Sequence, residues 1–231
     1  MTLWVILISF ILILATGASI GVGLALSSAI VLYAIIDMPL IVVVQRMFTS
    51  VDSFSFMAVP FFMLAGAFMS AGGVTKRIVD FSMALVGALA GGLALVVAVA
   101  GMFFAALSGS SAATTAAIGS AMIDEMEKRG YPRSFAAAVV ASGGTVGIVI
   151  PPSITMVVYG SIANTSIADL FLGGFAPGIL MGLSMCLVSW IIAKKQGYKG
   201  EGQFSIMRAL RSFRECFWAL MMPVIILGGI Y

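Results

Sequence analysis

The sequence predicts an all-helical integral membrane protein whose spans are interrupted by a hairpin and a proline-broken helix. Three observations carry this. Of 231 residues, 61% are hydrophobic and 9% charged, whereas soluble domains carry about 25% charged residues. The apolar runs are continuous and rich in Ala, Leu, Val, Ile and Gly, whereas a membrane barrel needs alternating segments of about 10 residues. Two polar interruptions fall deep inside uncharged sequence. They are Ser108-Gly109-Ser110-Ser111, and Gly143-Gly144-Thr145 through Gly147 followed by Ile150-Pro151-Pro152-Ser153. Irregular backbone at membrane depth is tolerated only where protein buries it or where it lines a cavity. Discontinuous helices use such breaks to hold ions and substrate.

Residues 1–36 carry no charge. That is too long for one crossing of about 20 residues and slightly short for two. A turn at Thr16-Gly17-Ala18-Ser19 gives two short helices. A cleaved signal peptide would need a basic region ahead of the apolar run, and there is none. Asp37 and Pro39 end the second helix, and Ile41 to Phe48, with Gln45 and Arg46, reads as a short interfacial helix. After Asp52 and Ser53 a third span runs to Gly72-Gly73, with a kink expected at Pro60.

An amphipathic segment with Lys76, Arg77 and Asp80 follows, and then 43 uncharged residues from Phe81 to Ile123. Charged groups flank this run on both sides, and basic clusters favour the cytoplasm. The run is therefore either two full spans or a re-entrant hairpin with its tip at Ser108–Ser111. Pro132 sits near a first-turn position and opens a second uncharged run, Ser134 to Ala168. Neither Pro151 nor Pro152 has an N–H, so a helix through them would strand the carbonyls of Gly147 and Ile148. Leu170 to Ala193 is a further span ending at Lys194-Lys195, and Gly197 to Gln203 a polar loop. Ser205 to Trp218, with Arg208, Arg211 and Arg214 three residues apart, reads as a basic surface helix on the cytoplasmic face. An apolar segment from Phe217 runs to Tyr231, as expected of a fragment or of a chain whose second half is missing.

Several function classes are excluded. With no His, the usual general base and commonest metal ligand are missing. An intramembrane serine protease using Ser110 or Ser111 would lack its base. Cys186 and Cys216 are too few and too far apart for a zinc site. No Gly-x-x-x-x-Gly-Lys-Ser/Thr phosphate loop is present. The net charge of +3 reads as loop lysines and arginines, not a nucleic-acid footprint. Asp124, Glu125, Glu127, Lys128 and Arg129 form a gate, a proton relay or a solvated hairpin end.

The two breaks bring together oxygen donors, which suit a hard cation. Ser108 and Ser110 sit on the first, and Gly147, Ile150 and Pro152 offer carbonyls around the second. Read as residues alone, the serines serve equally well to pack helices and the prolines to kink them. Ser111, Thr114, Ser153 and Thr155 lie on the same breaks and are candidates for contact with an anionic substrate, or for plain helix packing.

The blocks FMAVPFFMLAGAFMSAGGVTKRIVDF, LVGALAGGLA, GMFFAALSGSSAATTAAIGSAMI, GTVGIVIPPSI and LFLGGFAPG resemble the large membrane subunit of tripartite ATP-independent periplasmic (TRAP) transporters. The likeness covers nearly the whole chain. It implies the first half of an inverted-repeat, elevator-type secondary transporter in a bacterial inner membrane. It also implies sodium-coupled uptake of an organic acid such as a C4-dicarboxylate or sialic acid. A periplasmic substrate-binding protein and a small membrane subunit are the implied partners, besides membrane lipid. By this resemblance Ser108, Ser110, Gly147, Ile150 and Pro152 match the family's Na+ site. The segments implied are scaffold helices with an interfacial helix (1–75), an amphipathic arm (76–90) and a hairpin (91–130). A broken helix (131–168), a span (169–195) and a cytoplasmic helix leading into a second repeat (196–231) follow. The rival is a two-hairpin sodium/anion symporter that works without a binding protein.

Overall fold

The computed structural model describes residues 2–52, 54–200 and 204–230. Ser53, expected to precede the third span, residues 201–203 of the polar loop and Tyr231 lie outside the described residues. All regular structure among the described residues is helical, as the composition predicts. The chain divides into two compact units, residues 1–54 and 55–231.

In the first unit, α1 (Thr2–Ala15) and α2 (Ile20–Ala34) are joined by the expected turn, with Gly17 at φ 84°. At 1.5 Å per residue each is just over 20 Å long, shorter than the roughly 30 Å hydrocarbon layer. They pack closely at Gly23, where a Cβ would lie 3.1 Å from the Phe10 ring. Val31 and Ser27 are buried, while Leu3, Trp4, Ile11 and Leu12 are exposed. The amphipathic helix α3 (Ile41–Val51) follows Asp37, which takes a left-handed φ of 57°.

The second unit is organised around one helix. It contains α4 (Phe54–Ala71, with Pro60 inside), α5 (Val74–Val86), α6 (Gly92–Ser108) and α7 (Ser111–Lys128). Next come α8 (Arg133–Thr145), a short 3₁₀ turn (Val146–Ile148), α9 (Ile154–Ala163), α10 (Ile167–Lys195) and α11 (Ile206–Ile230). Helix α6 is apolar on every side and buried nearly throughout, as a helix without a polar face must be. Helices α5, α7, α8, α10 and α11 all pack on it. Val96, Val97, Phe104, Ile118, Met122 and Val140 form the centre of the core. Helix α5 buries Ile78, Phe81 and Ala84 and exposes Lys76, Arg77 and Asp80. With 29 residues, α10 is long and apolar enough to cross a membrane unaided.

Two boundaries differ from the sequence reading. Gly143, Gly144 and Thr145 are helical, so the second break starts only at Val146. Small residues serve close packing here: a Cβ on Gly144 would overlap Thr115 Oγ1. Pro132 is the N-cap of α8, next to its first turn as expected. The basic helix and the apolar segment after Phe217 form one continuous helix, α11. Its Cys216 is buried and its Phe213 ring lies 5.9 Å from that of Phe81.

The charged end of the α6–α7 hairpin is solvated. Arg133 Nη1 bonds Glu127 Oε2 at 2.6 Å and Asp124 Oδ1 at 3.2 Å, and Arg129 pairs with Glu125 at 3.0 Å. Hydrogen bonding to Glu127 raises the Arg133 pKa above its ordinary value. Exposed pairs of this kind contribute little to stability. Tyr131 beside them stacks on Tyr198 with ring centroids 4.0 Å apart. Gly91 N–H donates to Tyr198 O at 3.0 Å, which joins the loop after α10 to the α5–α6 turn.

Candidate site where two backbone breaks meet

The hairpin tip is only two residues long. Helix α6 ends at Ser108, Gly109 takes a left-handed φ of 60°, and Ser110 caps α7 by accepting from Ala113 N–H at 3.3 Å. Side-chain oxygens of this type satisfy the unpaired donors of a first turn. Behind the cap lies a buried hydroxyl pair. Ser108 Oγ and Thr114 Oγ1 are 2.9 Å apart, and the residues are 3% and 1% exposed. Thr114 Oγ1 donates to the Ser110 carbonyl at 2.9 Å, and Ser108 Oγ approaches the same oxygen at 3.2 Å. Ser108 Oγ also accepts from Ser110 N–H at 3.4 Å, so both hydroxyls are engaged within the tip.

In the second break, Pro151 cannot donate to Gly147 O, and Pro152 cannot donate to Ile148 O. The Ile148 carbonyl finds a substitute in Ser153 Oγ, which donates to it at 2.8 Å. The same oxygen accepts from Met156 N–H at 3.4 Å and caps α9. Ser153 is fully buried, so in this structure it repairs the break.

The breaks are docked on each other through backbone. Ile154 N–H donates to Gly109 O at 3.0 Å. A Cβ on Gly109 would lie 2.8 Å from Pro152 O, and one on Gly147 would lie 2.9 Å from Ser110 O. Those distances are closer than side chains allow, so both positions need glycine. Helix α10 supports the break from behind, with Gly178 against Ile150. In front of the tip a cleft of about 480 Å³ is bounded by Phe62 and Gly66 of α4, Ala113 and Ser120 of α7, and both Ser108 and Ser110.

The structure thus brings together Ser108, Ser110, Thr114, Gly147 and Pro152. Ile150 is buried against α10 and hydrogen-bonded from its N–H to Val146 O at 3.0 Å. Ser111 is half-buried at the start of α7, where Gly147 approaches its N atom. Thr155, next to the contact residue Ile154, is exposed on α9. The sequence reading missed Gly109 as the residue on which the docking depends. Its signal was a glycine between two serines at a helix–helix junction. The donor set is neutral oxygen, and no cluster of three His, Cys, Asp or Glu side chains that could hold a metal exists among the described residues. Such a set fits a monovalent hard cation better than a zinc-type ion.

An apolar-surfaced helical chain whose irregular backbone is buried at a hairpin–broken-helix contact is a membrane protein of the discontinuous-helix class. The family model described as "Tripartite ATP-independent periplasmic transporter, DctM component" matches residues 7–231, and the chain belongs to that family. It is 47% identical over 223 residues to the isethionate TRAP transporter permease protein DctMQ of Oleidesulfovibrio alaskensis, covering 96% of this chain and 35% of that protein. It is 46% identical to the C4-dicarboxylate TRAP transporter large permease protein DctM of Vibrio cholerae, covering 96% of this chain and 50% of that protein. To the 2,3-diketo-L-gulonate TRAP transporter large permease protein YiaN of Escherichia coli it is 39% identical, over 94% and 51% of the two chains. The chain spans half or less of the length of most curated relatives it matches.

Proposed function

We propose that this chain is the first half of the large membrane subunit of a sodium-coupled importer of an organic acid. The whole transporter would lie in a bacterial inner membrane. A periplasmic binding protein would deliver the substrate, and a small membrane subunit would accompany the large one. The observation that carries the reading is the backbone-to-backbone docking of the hairpin tip on the broken helix, with Ile154 N–H on Gly109 O and two buried hydroxyls beside it. Ser108 Oγ, Ser110 and the carbonyls of Gly147, Ile150 and Pro152 would hold Na+, and the Thr114 hydroxyl stands next to Ser108. Bound Na+ would supply positive charge beside the cleft in front of the tip, where an organic anion would be drawn. The chain's own part is to orient neutral oxygens and exclude water. Substrates named for the relatives are all acid anions: isethionate, C4-dicarboxylate and 2,3-diketo-L-gulonate. Movement of the hairpin and broken helix as one elevator body agrees with their mutual contact.

The test uses the full-length protein with its partner subunits in liposomes. Substrate uptake is measured with an inward sodium gradient, with potassium in place of sodium, and with Ser108→Ala plus Ser110→Ala. The expected result is uptake that requires sodium and needs a higher sodium concentration in the variant. Sodium-dependent uptake with unchanged sodium affinity removes the site but leaves the transporter. Uptake indifferent to sodium removes the coupling.

A further inference from the structure

Between the start of α6 and the last turns of α10 lies a groove of about 410 Å³, lined by Leu89, Leu95, Cys186, Leu187 and Trp190. Leu95 is buried at its floor, and Leu89 and Leu187, 50% and 56% exposed, form its lips. Cys186, Trp190 and Lys194 follow one another at four-residue steps, so they share one stripe of α10 about 12 Å long. At the end of that stripe Lys194 Nζ stands 4.8 Å over the Trp190 ring. Lys195 and Lys199 are exposed beside it. The loop that carries Lys199 is fastened to the α5–α6 turn that carries Leu89, through Gly91 N–H to Tyr198 O. Among the described residues none of the three lysines pairs with a carboxylate. An open apolar groove thus lies beside three lysines that have no carboxylate partner among the described residues, with a tryptophan at the join.

We propose that this groove binds an anionic phospholipid, with an acyl chain along the Leu95–Cys186–Trp190 slot and the phosphate at Lys194, Lys195 and Lys199. The complementarity is to an amphiphile. Hydrocarbon alone would leave the lysines unmatched, and a free phosphate would leave the slot unfilled. Tryptophan prefers the interface between acyl chains and headgroups, and long basic side chains reach from apolar surface to anionic headgroups. The groove lies on the face of α6 and α10 near Ala193 and Gly91, away from the hairpin tip, so it is a site separate from the proposed ion site.

The experiment uses the full-length protein with its partners in liposomes doped with phosphatidylglycerol or phosphatidylcholine, each carrying a photoactivatable group on one acyl chain. Adducts are mapped by peptide mass spectrometry. Labelling of the Leu89–Leu95 and Cys186–Trp190 segments is expected to be at least threefold stronger with phosphatidylglycerol. Lys194→Gln, Lys195→Gln and Lys199→Gln together should bring the two lipids to parity while thermal stability and phosphatidylcholine labelling stay unchanged. Equal labelling in the unmodified protein would overturn the proposal, because the groove would then hold bulk lipid. Absence of adducts, with the groove sealed by the rest of the transporter or by its partner, would overturn it as well.

Discussion

Gly109→Ala isolates the contact between the two breaks. Two separate penalties meet at this residue. Its φ of 60° is left-handed, which costs a residue with a Cβ about 1–2 kcal/mol. The added carbon would also lie 2.8 Å from Pro152 O and 3.2 Å from Ile154 N. Relief of that overlap moves the tip away, and Ile154 N–H then loses its acceptor. A lost net hydrogen bond is worth roughly 0.5–1.5 kcal/mol, and overpacking a tight contact typically 1–3 kcal/mol. Gly130→Ala is the matched control: φ is 85°, and nothing lies within 4 Å of its Cβ position. It should show only the backbone penalty, about 1–2 kcal/mol. The assay is thermal unfolding of the full-length protein in detergent, read for both variants in parallel. Gly109→Ala should melt well below Gly130→Ala, with an excess of about 2–4 kcal/mol on these magnitudes. Equal melting of the two variants would refute the docked arrangement.

Two further outcomes follow from the same contacts. Ser153→Ala should lower thermal stability by about 1–3 kcal/mol, because the Ile148 carbonyl loses its donor and α9 its cap. Thr155→Ala, at an exposed position, should stay within about 0.5 kcal/mol. Gly144→Ala should destabilise through collision with Thr115 Oγ1, and Thr115→Ala in the same chain should recover part of the loss. Additive effects in that double variant, measured by thermal unfolding, would mean that the two residues do not touch.

Much of this architecture was legible in the residues. Charge-free runs located the helices, and the two prolines located the second break, because a missing N–H is a chemical fact independent of context. What the sequence could not settle was the role of small residues. Gly143-Gly144 looks like a turn but packs as helix, since glycine permits both and only the neighbour, Thr115, decides. Ser153 stood open between substrate contact and plain packing, and in this structure its hydroxyl donates to Ile148 O. A hydroxyl shows no preference until its surroundings are known. The continuity of α11 was hidden because a change from amphipathic to uniformly apolar sequence needs no break in the backbone.

The tip of the hairpin rests on the broken helix by main-chain atoms, and its far end is braced by Arg133 and by the Tyr131–Tyr198 stack. A latch of that build differs from interlocked side chains. Across the tip itself the contact is one main-chain hydrogen bond and two glycine-sized approaches, at Gly109 and Gly147. Any cation seated beside it would add its own bonds to both halves and so hold the latch shut.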